Sequence, residues 1–223
     1  MSLAVTHAVG RFMLWIDGVG GYLVCERPSV AIGQPTTPGR IAANAVRSDD
    51  EVHGLIDIPV MADISRRHAL VERHGEHYLL RPLRSVLGGA SSPTQPRRLG
   101  NGTRFEFGDR PGRGLQMRFD LPNVCSLTGR LVVESKHRLQ PHADGILLLA
   151  DSCLIGSTDD AHVCIPRLTR TLVIHRRSDG RLVFRTAGSY DVDGSRNTDT
   201  TSIDRTARIR ADDFSLHLEP LAS

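Results

Sequence analysis

Val30-Ala31-Ile32-Gly33 returns as Cys153-Leu154-Ile155-Gly156, and the surroundings of each copy return with it. An apolar strand precedes each copy. A short apolar strand follows, then a hairpin centred on glycine, VERHGEHYLL in the first half and IHRRSDGRLVF in the second. Each half closes on apolar alternation running into proline, QMRFDLPN and SLHLEPLA. A repeat of roughly 100 residues is a duplicated domain, not a stacked solenoid of short units. The spacing places one domain at 10–122 and a second at 126–220. Pro122-Asn123 and the run to Thr128 read as the linker between them.

Both halves read as strand. In the first, apolar runs bounded by Gly, Pro, Asp and Ser fall at 11–17 (RFMLWID), 21–25, 30–33, 68–73, 77–81, 103–107 and 115–121. In the second they fall at 130–134, 145–150, 153–156, 171–175, 182–185, 207–210 and 214–218. Helix signals are scarce. Many short strands at close spacing predict an all-β chain built as sandwich or barrel.

Composition narrows the function. A formal net charge of +3 over 223 residues is not that of a strongly basic nucleic-acid binder. The excess lies in residues 1–121, with 15 Arg against 12 acidic residues. Lys136 is the only lysine. Aromatic residues make up 4%, few for a single-strand binder that stacks bases along a groove. A nucleic-acid-binding β-barrel is therefore the alternative reading, not the leading one. Cys25, Cys125, Cys153 and Cys164 form no C-x-x-C pair and sit in or beside apolar runs, so they read as free and buried. His162 and Cys164 lie close, but no second pair completes a metal site. No run approaches the ~20 apolar residues of a membrane helix, and the N-terminus lacks the pattern of a signal peptide. A soluble, cytoplasmic protein without metal or cofactor is expected, with no membrane partner.

Ser65-Arg66-Arg67-His68, just before the hairpin of the first half, is the segment that invites chemistry. Asp63, Ser65 and His68 together suggest a triad. They crowd one short loop, and neither a glycine-flanked nucleophile turn nor an oxyanion loop accompanies them. No catalytic residue is assigned. A hydroxyl and two guanidinium forks suit an anion instead.

In order along the chain, Ile32-Gly33, Asp57-Ile58-Pro59-Val60, Ser65-Arg66-Arg67-His68, Leu83-Arg84-Ser85-Val86-Leu87-Gly88 and Gly102-Thr103-Arg104-Phe105-Glu106-Phe107-Gly108 resemble the forkhead-associated (FHA) domain family. The resemblance covers most of 11–121 and, more weakly, 128–220. It implies two FHA/SMAD-like β-sandwiches in tandem, the second degenerate. It also implies a non-catalytic adaptor, with weak phosphothreonine-peptide binding by the first domain. Ser65 is then the phosphate donor, with Arg66 or Arg67 supplying charge. Gly33 and His68 are structural, and Gln34, Arg40, Arg84 and Ser85 belong to the binding surface.

The departures are specific. The family's phosphate-gripping arginine follows the glycine at Gly33, where this chain has Gln34. Leu87 stands where the family's asparagine binds the peptide main chain. In the second half the motif falls on Thr169-Arg170-Thr171-Leu172, so the bracing histidine becomes Leu172, and Ser157 replaces the arginine. From Gly33 to Ile58 is 25 positions and from Gly156 to Val163 is 7. The first half thus carries an insertion, at about 35–53, with Gly39-Arg40 and Arg47 as replacement cations and Asp49-Asp50-Glu51 as an opposing acidic run.

Overall fold

The computed structural model describes residues 10–35, 56–84, 86–87 and 95–221, and among these no helix forms. The first half contributes β1 (Arg11–Ile16), β2 (Gly20–Cys25), β3 (Ser29–Gly33), β4 (Ile58–Met61), β5 (Ala69–His74), β6 (His77–Pro82), β7 (Val86–Leu87), β8 (Arg97–Leu99), β9 (Thr103–Phe107) and β10 (Leu115–Asp120). The second contributes β11 (Gly129–Val133), β12 (Arg138–Leu139), β13 (Gly145–Leu148), β14 (Ser152–Gly156), β15 (Val163–Cys164), β16 (Leu172–Arg176), β17 (Leu182–Arg185), β18 (Tyr190–Val192), β19 (Ser195–Asn197), β20 (Thr201–Ile203), β21 (Arg208–Arg210) and β22 (Ser215–Pro220). The chain is all-β, as the short alternating runs predict.

Three open sheets result. The large one runs β19-β18-β21-β22-β1-β2-β13-β11-β10-β9-β7. A second runs β12-β4-β3-β5-β6-β8 and a third β15-β14-β16-β17-β20. None closes on itself among the described residues, so the barrel of the alternative reading is not formed.

Two cores lie on opposite faces of the large sheet. Met13, Leu23, Cys25, Ile146 and Leu148 point into the core shared with the sheet of β3 to β6. Phe12, Leu14, Ile16, Val24 and Leu147 point the other way, into the core shared with the sheet of β14 to β17. The central strands β1, β2 and β13 are therefore covered on both faces. That explains why FMLWI in β1 and GILL in β13 are continuous apolar runs where a one-sided strand would alternate. In the β5–β6 hairpin His74 faces His77, leaving a two-residue turn whose first member, Gly75, takes a φ of +59° that a side chain would oppose.

Each sandwich takes strands from both halves of the sequence. β22 pairs with β1, with Leu14 opposite Leu218, and β10 pairs with β11, with Phe119 opposite Leu131. β2 and β13 then run parallel, Leu23 beside Ile146 and Val24 beside Leu147, and join the two into one sheet. The boundary expected at 122–126 is thus crossed by continuous sheet. The expected linker is the loop of the β10–β11 hairpin, held by Asn123 Oδ1, which accepts from the Cys125 and Ser126 amides.

Many of the contacts across the halves are buried. Phe12, Leu14, Ile16 and Val24 are at most 4% exposed against a core otherwise made by the second half. At about 1.5–3 kcal/mol each, their burial contributes roughly 6–12 kcal/mol, the scale of a whole domain's stability. Arg205 grips the buried Glu26 with both ends of its fork, Nε to Oε2 at 2.8 Å and a terminal nitrogen to Oε1 at 2.6 Å. Reciprocally, Tyr78 donates to the carbonyls of Leu127 and Leu148, at 2.8 and 3.2 Å.

Two of the cysteines depart from expectation. Cys25 and Cys153 are buried, but Cys125 and Cys164 are exposed, one on the β10–β11 loop and one on the outward side of β15. Burial pushes the Cys153 thiol up to about 12. No helix among the described residues is long and apolar enough to cross a membrane.

Candidate anion-binding loop

Residues 62–68 join β4 to β5 and lie directly on the end of β3. His68 fixes this arrangement. Its amide donates to the Ile32 carbonyl at 2.8 Å, and its Nδ1 accepts from the Ser65 amide at 3.2 Å. Its carbonyl accepts from the amides of Leu83 and Arg84, which brings the β6–β7 loop to the same end. The ring is buried and meets Phe107 edge-on at 4.9 Å. Because an N–H occupies Nδ1, that nitrogen cannot serve as a base toward the Ser65 hydroxyl. The geometry makes His68 a brace.

Gly33 is the other half of this fit. A Cβ built on it would overlap the carbonyl of Arg66, backbone that has nowhere to go. The Gln34 amide donates to the Ser65 carbonyl at 3.3 Å, and its side chain donates to the Ala62 carbonyl at 3.0 Å. Ile64, 7% exposed, pins the loop from below.

The loop presents three groups outward. Ser65 is half-buried, and its hydroxyl has no hydrogen-bond partner among the described residues. Arg66 is exposed. Arg67 is half-buried, with its Nε buried and without a hydrogen-bond partner among the described residues. A buried donor left without an acceptor costs about 1–3 kcal/mol, so this nitrogen favours any acceptor that reaches it.

The other expected site residues divide. Arg84 is exposed beside the loop, and its guanidinium lies 3.5 Å from the Leu83 carbonyl. Leu87 is half-buried on β7, opposite Glu106. The Gln34 side chain is tied to the Ala62 carbonyl. Arg40 and Ser85, with Arg47 and the acidic run Asp49-Asp50-Glu51, lie outside the described residues.

A cleft of about 560 Å³ opens beside the loop, with Gln34, Met61, Ala62, Asp63, His137 and Gln140 among its walls. His137 and Gln140 come from the second half, brought there by the pairing of β12 with β4. No motif marks them. The only available signal was the alternation of Arg138-Leu139, too short to register as a strand.

The second half keeps the frame without the loop. Ile155 lies opposite Leu172 as Ile32 lies opposite Ala69. Strand register therefore matches His68 with Thr171 and Ser65 with Leu168, one residue earlier than the sequence alignment on Thr169 and Leu172. Leu168 is buried in the core. Among the described residues no group of three or more His, Cys, Asp or Glu is placed to hold a metal ion. Compared with family models, curated proteins and solved structures, the chain matches none.

Proposed function

We propose that the chain is a non-catalytic protein-interaction adaptor. Its first sandwich offers the loop of Ser65, Arg66 and Arg67 to an acidic group on a peptide partner, with phosphothreonine as the preferred group. The observation that carries this reading is the fit of residues 62–68 against Gly33 and His68. It holds an unbonded hydroxyl and two guanidinium groups at one end of the sandwich before any ligand arrives, and groups held in advance lose little freedom on binding. Four free cysteines are consistent with work in a reducing, cytoplasmic compartment.

The affinity is weak. Gln34 brings no charge and is already bonded to Ala62. Leu87 cannot hydrogen-bond a peptide main chain. Losing a charged hydrogen bond costs roughly 1.5–3 kcal/mol, about ten- to a hundredfold in affinity. A Kd of tens of micromolar is expected, where ~10 μM corresponds to about 7 kcal/mol in all. Binding weakens with salt, because a surface site is screened. The test titrates the full chain and its Ser65→Ala variant with matched threonine and phosphothreonine peptides. Preference for the phosphopeptide, reduced by Ser65→Ala, supports the reading. Equal affinity for both peptides removes the phosphate, and a preference untouched by Ser65→Ala moves the site.

A further inference from the structure

The repeat gives each half the same parts: an opening hairpin, a small sheet, and a closing strand. The opening hairpins are β1–β2 and β11–β13, and the closing strands are β10 and β22. A self-contained half would pair its own closing strand with its own opening strand, β10 with β1 and β22 with β11. The chain does the opposite in both places. On one face, Phe12, Leu14, Ile16 and Val24 of the first half fill a core shared with Leu147, Leu149 and β14 to β22; on the other, Leu131, Leu139, Ile146 and Leu148 of the second half fill one shared with Met13, Leu23, Cys25 and β3 to β10. The ties are reciprocal too: Arg205 holds the end of β2 through Glu26, and Tyr78 holds the end of β13 through Leu148.

We propose that the two halves are obligate mates related by hairpin exchange. The surface formed by the edge of β22 and the face of its core that β1 and β2 cover then has one fitting partner, a β1–β2 hairpin of this chain. That hairpin comes from the same molecule or from a second copy. The covalent link between the mates is the short loop 121–128, whose tip at Val124 is 69% exposed. Short hinges between exchanged elements are the setting in which the same contacts form between molecules.

The experiment inserts a specific protease site between Val124 and Cys125 of the full chain and cuts the folded protein. The two fragments should co-elute at the 24.4 kDa of the intact chain and separate only in denaturant. Cut protein carrying a heavy-isotope label, mixed with unlabelled cut protein and passed through unfolding and refolding, should give mixed complexes in statistical proportion. Fragments that part under native conditions, each folded at about half the mass, would overturn the proposal, as would a failure to form mixed complexes. If the insertion itself disturbs folding, native-state hydrogen exchange on the unaltered chain decides. Amides of β1 and β22 should open together, at one free energy shared with both cores. Two separate unfolding free energies, one per sequence half, would refute the exchange.

Discussion

Gly33 and Gly156 hold the same place in the two halves, each ending the strand that opens a small sheet, yet they meet different surroundings. The backbone of Arg66 presses on Gly33, whereas Gly156 has nothing nearer than the Thr171 hydroxyl at 3.5 Å, an ordinary contact. The cause lies across the sheet. His68 draws the first loop down through its ring and main chain. Its counterpart Thr171 has no such reach, and Leu168, the counterpart of Ser65, turns into the core. One frame therefore supports either a polar loop held at the surface or a plug of core. The residue in the histidine position selects between them.

The sharpest break in this comparison comes from adding one methyl group at each glycine. Gly33→Ala should destabilise the chain by about 3 kcal/mol or more, since the opposing atom is backbone, while Gly156→Ala should cost under ~1 kcal/mol. Denaturant midpoints of the two variants measure the difference. Similar losses at both positions would mean that the first loop is not tightly seated.

A second contrast concerns the amide that follows the first residue of each small-sheet motif. Ala31 donates to the buried carboxylate of Asp57 at 2.9 Å, and Leu154 donates to Nδ1 of the buried His162 at 2.9 Å. With Nδ1 accepting, the His162 proton sits on Nε2, facing the Ser126 hydroxyl at 2.8 Å. Burial pushes this imidazole down from 6.5 to about 4. Its protonation therefore opposes folding. The stability of the neutral ring is fully present above about pH 6.5 and is lost as the pH falls toward 4, by roughly 3 kcal/mol in all. Melting temperature followed from pH 7 to 4 should fall, and His162→Gln should flatten that fall by about one proton's worth. An unchanged slope in the variant would show that His162 is not the group responsible.

Smaller effects sharpen the contrast between the loops. His68→Ala should cost about 1–3 kcal/mol by leaving the Ser65 amide without its acceptor. Thr171→Val, at the matching exposed position, should stay within about 0.5 kcal/mol. A thermal melt of each is sufficient. Smallest in stability but decisive for function, Arg67→Gln should leave the melting curve nearly unchanged and weaken phosphopeptide binding several-fold. Unaltered affinity would remove Arg67 from the site.

Alternation was enough to find most strands, because β5, β10 and β22 each carry the period-two pattern that burial of one face imposes. Strands of two or three residues, such as β7, β12 and β15, are too short to show a period. In register, Gly33 lies opposite Pro59 and Gly156 opposite Cys164; the insertion expected at about 35–53 lies, beyond Pro35, outside the described residues. The motif alignment in the second half slipped by one residue because a loop has no period to fix it. Hairpin exchange was not legible at all. Pairing β10 with β1 or with β11 satisfies the same inward and outward faces, and alternation specifies a strand's face without specifying its neighbour. The residues of the loop at Ser65 were legible, whereas the cleft wall from His137 and Gln140 depends on the pairing of β12 with β4, strands too short to be read as partners.

The parallel contact between β2 and β13 has a consequence for solubility. Were the large sheet divided between β2 and β13, each of these strands would be the outermost of its part, with the apolar Leu23-Val24-Cys25 or Ile146-Leu147-Leu148 offering unsatisfied amides and carbonyls to any passing chain. Such borders template aggregation. Here each is covered by its own counterpart from the other half. Among the described residues, the borders at the ends of the large sheet are short: two residues in β7, and the polar Ser195-Arg196-Asn197 in β19. The strand that shields each border is the one in the matching place in the other half.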